Sequence, residues 1–127
     1  MGTILKFEEL PLWKESMSIA IDIYTLSNNQ YFRKDFDLRN QMRRASISIS
    51  SNIAEGFERG SNKDFVRFLI ISKASCGEIR SQLFLAKSLH YLEDEDYNKL
   101  QIEILAMSKK LGGFIKYLMK LNSIKRI

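Results

Sequence analysis

The sequence predicts an all-α fold, a single domain over residues 1–127 built as an antiparallel up-down-up-down four-helix bundle. Three observations predict it. Apolar residues recur at the three- and four-residue spacing of an α-helix through four successive segments. The only proline, Pro11, stands near the start of the first segment, where a missing N–H costs a helix little. The later segments are joined by short polar connections, which makes turning each helix back on its predecessor the economical arrangement. A chain of 127 residues with 45% hydrophobic content has the size of one domain and enough apolar material for one core.

The first helix is expected from Pro11 to Leu26, with Leu10, Trp13, Met17, Ala20, Ile21 and Tyr24 as its core stripe. Leu12, Ile19 and Leu26 fall outside that stripe. Ser27-Asn28-Asn29-Gln30 ends the pattern, and the chain to about Asp37 reads as a connection carrying Tyr31 and Phe32. The second helix runs from about Phe36 to Phe57, with Leu38, Met42, Ala45, Ile49, Ile53 and Gly56 on one side. Ser46-Ile47-Ser48-Ile49-Ser50 alternates like a strand, but both flanks keep the helical period, so the segment is read as helix. Arg59-Gly60-Ser61-Asn62 is a turn, with Gly60 as a helix terminator and Ser61 as an N-cap three residues before Asp64.

The third helix, about Lys63 to Tyr91, carries Phe65, Leu69, Ser72, Cys76, Ile79, Leu83 and Ala86 on one side and Ile71, Ala74, Leu85 and Leu89 on the other. A helix apolar on two sides has more to bury than one bundle offers, and the first helix shows the same excess; both point to a homo-oligomer. Glu93-Asp94-Glu95-Asp96 opens the fourth helix, where acidic side chains meet the positive end of the helix dipole. It lacks the ligand spacing and central glycine of an EF-hand. The fourth helix follows with Tyr97, Leu100, Ile104, Met107, Leu111, Phe114, Ile115 and Leu118 on one stripe. Gly112-Gly113 interrupts it, through close packing of a neighbouring helix or through fraying.

Composition narrows the function classes. No apolar run approaches the roughly 20 residues that span a bilayer, and Met1 to Leu12 has no signal-peptide core, so a cytoplasmic protein is expected. The single cysteine, Cys76, has no disulfide partner and lies on an apolar stripe, as a small buried hydrophobe would. The lone His90 has no companion at metal-ligand spacing; at the end of the third helix it suits the dipole. Phosphate-loop, HExxH and GxSxG motifs are absent from the sequence, and the Glu55/Glu58 pair has ordinary surface spacing. No enzyme, cofactor or metal is expected.

Charge is the positive signal. The net charge is +5, but residues 1–96 carry 13 basic and 14 acidic side chains and residues 97–127 carry 7 and 1. Such a concentration suits a polyanion or, equally, serves as a solvated face. Arg39, Arg43 and Arg44 cluster on the outer side of the second helix. Lys73, Arg80 and Lys87 stand seven residues apart on the third, and Lys109, Lys116 and Lys120 point away from the fourth helix's stripe. These nine are the candidates for nucleic-acid backbone contact. Since no base-reading motif occurs and aromatic residues sit mostly on core stripes, weak sequence specificity is expected. A second feature is polar: Gln41, Ser48, Asn52 and Glu55 form a column beside the second helix's stripe, with Glu78 as the counterpart on the third. They read as a structural network, Glu78 taking its partner from Arg44, Asn52 or a neighbouring subunit.

The residues Leu38-Arg39-Asn40-Gln41-Met42-Arg43-Arg44-Ala45, Ser48, Asn52-Ile53-Ala54-Glu55-Gly56 and Phe65-Val66-Arg67-Phe68-Leu69 carry a family resemblance. The chain resembles the bacterial four-helix-bundle proteins encoded in intervening sequences of 23S ribosomal RNA genes, from Leu12-Trp13-Lys14 to Leu89-His90-Tyr91-Leu92, with Asn-Ile-Ala-Glu-Gly its most specific part. The resemblance implies a subunit that assembles into a pentameric ring. It also implies kinship with the accessory proteins of diversity-generating retroelements, which bind nucleic acid and a reverse transcriptase. Ser50 stands where relatives often have proline, and Ala74-Ser75-Cys76-Gly77 where they often have Gly-Ser-Leu before the glutamate. A less bent second helix and an altered subunit angle are the expected consequences. The sequence thus points to a non-enzymatic oligomeric binding protein, with RNA or DNA as partner. The alternative is a scaffold for an acidic protein such as a reverse transcriptase or a ribosome-associated factor.

Overall fold

The computed structural model describes residues 4–125, the last four as helical backbone only. A 3-10 turn at Phe7–Glu9 leads into α1 (Pro11–Leu26), followed by α2 (Gln30–Lys34), α3 (Phe36–Glu58), α4 (Asn62–Ser88) and α5 (Asp94–Lys125). No strand occurs among the described residues, and the alternating Ser46–Ser50 segment lies inside α3. The four long helices pack in a closed cycle: α1 on α3, α3 on α4, α4 on α5 and α5 on α1. One core fills the space between them, with Ile23, Met42, Ile49, Ile53, Leu69, Ile79, Leu83, Ile104 and Leu111 removed from solvent.

The expected stripes of the second, third and fourth predicted helices are the buried sides of α3, α4 and α5, Tyr97 and Phe114 being half-buried. α1 is different. Its core side is Ser16, Ile19, Ala20 and Ile23, whereas Met17, Ile21 and Tyr24 are exposed. The reason is two buried serines, one inside the helix and one at its C-cap: Ser16 donates to the Trp13 carbonyl at 2.6 Å and Ser27 to the Tyr24 carbonyl at 3.4 Å. With their hydroxyls satisfied by the preceding turn, serines occupy core positions that a hydrophobic pattern assigns to larger residues.

Side-chain caps and left-handed terminators set the helix ends. The segment expected to be a connection holds the short helix α2: Asn29 Oδ1 accepts from the amides of Tyr31 and Phe32, and Phe32 plugs the core. Asp35 caps α3 through one oxygen, accepting from Leu38 N at 3.2 Å, while the other accepts the Tyr91 hydroxyl at 2.9 Å. Asn29 donates to the Tyr91 carbonyl at 2.9 Å, so the starts of α2 and, through Asp35, of α3 are both tied to the α4–α5 connection, and the hydroxyl stays bonded to Asp35. That bond to Asp35 holds the Tyr91 phenol above its ordinary pKa, because ionisation would put two anions face to face. Gly60 ends α3 at φ +85° and Ser61 caps α4. His90 is not in the last turn of α4, which stops at Ser88. It lies beyond, at φ +62°, as the left-handed terminator that lets Tyr91 N bond to Ala86 O.

α3 and α4 approach closely at Gly56, where a β-carbon would stand 2.7 Å from Phe68 Cβ and 3.3 Å from the Phe65 carbonyl oxygen. Only glycine fits there. α5 continues unbroken through Gly112-Gly113. The end of the exposed Lys73 side chain lies 3.3 Å from where a β-carbon on Gly112 would be and nothing lies within 4 Å of one on Gly113, so close helix packing requires neither glycine, and the unbroken helix shows no fraying at them. Ser50 sits inside an uninterrupted α3 with its hydroxyl donating to the Ile47 carbonyl.

Candidate functional site

The sides of the bundle differ in charge. Between α4 and α5 runs an open groove of about 550 Å³ lined by Gly77, Arg80, Ser81, Phe84, Tyr97, Gln101, Ile102 and Leu105, with no carboxylate among them. Helical phase places Lys73 and Lys87 one heptad either side of Arg80, on the same side of α4. Contacts across to α5 agree: Lys73 reaches Gly112, Gln101 Nε2 donates to the Arg80 carbonyl at 3.1 Å, and Lys87 Nζ stands 4.5 Å above the Tyr97 ring. Lys109 follows Leu105 by one turn and Lys116 follows Gly112 by one turn, both exposed. Lys116 and Lys120 border a shallow apolar depression with Tyr117 and Met119. The basic rows of α4 and α5 therefore meet on one side of the bundle.

Among the described residues this row sits over the buried Cys76. Burial pushes its thiol up to about 11, and the positive charges of Lys73 and Arg80 oppose that rise without cancelling it. At that pKa the thiol is a core group with negligible thiolate near neutral pH.

The three arginines expected to cluster on the second helix do not join this row, and they separate. Arg43 Nε donates to Ser27 Oγ at 2.8 Å, a terminal nitrogen reaches the Tyr24 carbonyl at 3.3 Å, and the guanidinium lies 4.5 Å over the Tyr24 ring. It fastens the end of α1 to α3. Arg39 stacks 4.7 Å over Phe36 and is half-buried. Arg44 is exposed, one turn before Ser48 on the side of α3 that meets α4.

The polar column is partly assembled. Asn52 Nδ2 donates to the Ser48 carbonyl and hydroxyl, and Ser75 of α4 donates to Ser48 Oγ at 2.9 Å, so a small network bridges α3 and α4. Ser75, absent from the expected set, is its cross-helix member. Glu78 is exposed and accepts from Gln82 at 3.4 Å, Glu55 pairs with Arg59 at 3.5 Å, and Gln41 is exposed. These three stand apart from the bridge, because an exposed carboxylate or amide has water as partner and needs no buried one.

Two other sides complete the surface. Between α1 and α3 lies an uncharged groove of about 440 Å³ that includes Trp13, Met17, Ile21, Tyr24 and Ile47. The α1–α5 seam collects carboxylates: Glu15 pairs with Lys110 at 2.7 Å, and Asp22, Asp96 and Glu103 lie along it with Lys99. Desolvation, and then the hydrogen bond and charge of Asp22, hold the Glu103 carboxyl above its ordinary pKa, with Lys99 opposing. Among the described residues no three His, Cys, Asp or Glu side chains converge on a common metal position, and no helix is long and apolar enough to cross a membrane.

Phe84, which the sequence left unassigned, is 62% exposed and Ile102 70% exposed, and both line the basic groove. A readable signal existed. Phe84 lies off the Phe65–Ala86 stripe, four residues after Arg80 and three before Lys87, which sets an aromatic ring among cations on one helix side.

Comparison with known proteins agrees with the architecture. No curated protein matches the chain. Among solved structures, a protein of unknown function of the S23 ribosomal protein family from Bacteroides thetaiotaomicron VPI-5482 superposes with a TM-score of 0.76 at 27% identity, covering 83% of this chain and 98% of that one. Residues 8–113 match the family described as 23S rRNA-intervening sequence protein, a span that holds all the basic groove's lining residues. The chain belongs to the 23S rRNA-intervening sequence protein family.

Proposed function

We propose that the protein works by binding RNA along its α4/α5 side rather than by catalysing a reaction, with contacts mainly to phosphates and little sequence selectivity. The observation that carries this reading is the carboxylate-free groove, with Arg80 in its wall, Lys73 and Lys87 beside it and Lys109 and Lys116 on the facing helix. Four carboxylates, Glu15, Asp22, Asp96 and Glu103, lie instead along the α1–α5 seam. Charges sorted in this way hold a polyanion on one side and repel it from another.

The subunit in this reading is an antiparallel up-down-up-down bundle that assembles in the cytoplasm into a ring-shaped homo-oligomer, five being the number the family resemblance implies. Exposed apolar side chains supply a reason to assemble: Met17, Ile21 and Ile47 on the α1/α3 groove, and Ile71, Leu85 and Leu89 on the outer side of α4. A ring repeats the basic side once per subunit and sums its field.

Fluorescence anisotropy with a labelled structured RNA between about 50 and 300 mM salt, with the assembly sized by light scattering, tests both parts. Affinity should fall with salt at a slope of about 0.9 per phosphate contact, and Lys73→Gln, Arg80→Gln and Lys109→Gln should each reduce that slope. An intact assembly that leaves RNA unbound near 50 mM salt would reject the reading in favour of a protein scaffold whose basic side meets an acidic partner.

A further inference from the structure

We propose that the α4/α5 groove takes single-stranded RNA, with one unpaired base stacked on Phe84. The proposal rests on the RNA-binding reading above and narrows it to a substrate class. A basic helix side alone would serve a duplex as well as a single strand, since both present phosphates. The groove offers more. Phe84 has 62% of its surface in water and Ile102, on the facing wall, 70%, with Leu105 exposed beside them. Phe84 stands within one helical turn of both Arg80 and Lys87 on α4, and on α5 Leu105 stands one turn and Ile102 two turns before Lys109.

A duplex laid on this side would bring charged backbone against Phe84 and Ile102, because its bases are already stacked on one another and their faces are hidden. A single strand has free base faces. Its phosphates can lie along Lys73, Arg80 and Lys87 while a base turns inward over the phenyl ring, removing from water the apolar surface that a phosphate contact leaves wet. Every base has a π-face, so this contact tolerates any sequence. Arg80, one turn before Phe84, can place its guanidinium against the edge or face of the same base.

The test uses the full chain and three labelled probes of equal length, about 12 nucleotides: an oligoadenylate strand, the same strand paired with its complement, and an abasic strand of the same charge. Phe84→Ala should bind oligoadenylate about tenfold more weakly, at unchanged salt slope, while its affinity for the duplex and the abasic strand stays as in the parent. Phe84→Trp in a Trp13→Phe background should show indole fluorescence quenched by oligoadenylate and unaffected by the abasic strand. If Arg80→Gln weakens every probe and Phe84→Ala weakens none, the RNA-binding reading stands and the stacked base is wrong. If the parent chain binds none of the three, the RNA-binding reading has itself failed. A Phe84→Ala assembly of altered size in light scattering would assign the groove to contact between copies of the chain and overturn the proposal.

Discussion

Replacing Gly56 by alanine should destabilise the fold, although alanine is the better helix former. In an open helix interior the substitution would gain about 1 kcal/mol. Here the new β-carbon would stand 2.7 Å from Phe68 Cβ, 3.0 Å from Phe65 Cδ1 and 3.3 Å from the Phe65 carbonyl oxygen. Two of those atoms belong to or are fixed by the α4 backbone and cannot swing aside. The third belongs to a ring held edge-on between Phe57 at 5.9 Å and Phe114 at 5.5 Å, so turning it disrupts both contacts. Restoring an ordinary 3.4 Å contact to Phe68 requires α3 and α4 to separate by about 0.7 Å, from 3.4 minus 2.7. Overpacking of this kind costs about 1–3 kcal/mol, and the rigid neighbours put it at the upper end. The net loss should be about 2 kcal/mol, or roughly 6–10 °C in melting temperature for a domain of this size. Urea unfolding followed by circular dichroism measures it, with Gly113→Ala as the control. Gly113 is exposed with nothing within 4 Å of an added β-carbon, so that variant should gain about 0.5–1 kcal/mol. Gly56→Ala at or above parental stability, alongside a stabilised Gly113→Ala, would refute the close approach of α3 and α4.

Other consequences are testable in the same way. His90→Gly should stabilise by about 1 kcal/mol, because glycine adopts φ +62° without the steric penalty of a β-carbon; a loss on thermal melting would show that the imidazole makes a contact worth more than that strain. Arg43→Gln should lower stability by about 1 kcal/mol by freeing Ser27 and the Tyr24 carbonyl, yet leave RNA affinity closer to parental than Arg80→Gln does; equal losses of affinity would place Arg43 in the interface after all. Glu103 has a folded-state pKa raised by desolvation and by Asp22, so the folded chain holds its proton more tightly than the unfolded one. Its contribution is fully present below about pH 4.5, the unfolded value, and is lost as pH rises through the folded pKa. Glu103→Gln should flatten that part of the stability–pH curve, and an unchanged curve in urea titrations from pH 4 to 8 would contradict the assignment.

The parts of the fold legible in the sequence are those where one apolar stripe stands against a polar surround. α3 and α5 have such stripes, and α4 has a dominant one despite its second apolar side; the stripe residues are buried, Tyr97 and Phe114 by half, while Ser46, Ser50, Phe68, Ser75 and Gln82 are buried beside them. α1 does not. Its apolar residues surround the helix, and the side that packs is decided by Ser16 and Ser27, small enough for a close approach and satisfied by their own backbone. α2 escaped because its stability comes from the Asn29 cap and one buried ring, too short a span to show a period. On the candidate interface, heptad spacing put Lys73, Arg80 and Lys87 on one side of α4, but no pattern within a helix says which neighbour that side adjoins. Only the packing of α5 brings in Lys109 and Lys116, and only the packing of α1 takes Arg43 away.

That last point bears on which charges can serve a polyanion. A guanidinium committed to a hydroxyl, a carbonyl and an aromatic face must give up those partners to meet a phosphate, whereas Arg80 has its side chain along an open groove. Among exposed cations the neighbouring carboxylates decide next: Lys110 is tied to Glu15, and Lys99 lies on a seam with Asp22, Asp96 and Glu103. Net charge therefore overstates what is available. The useful positive field comes from cations without such commitments, and Lys73, Arg80, Lys109 and Lys116 bring four of them together where α4 meets α5. Charge reversal on that side should consequently weaken RNA binding far more than the same reversal at Lys99 or Lys110, at equal change in net charge. Equal effects from Arg80→Glu and Lys110→Glu in the anisotropy titration would mean that the whole molecule, and no one side of it, attracts the RNA.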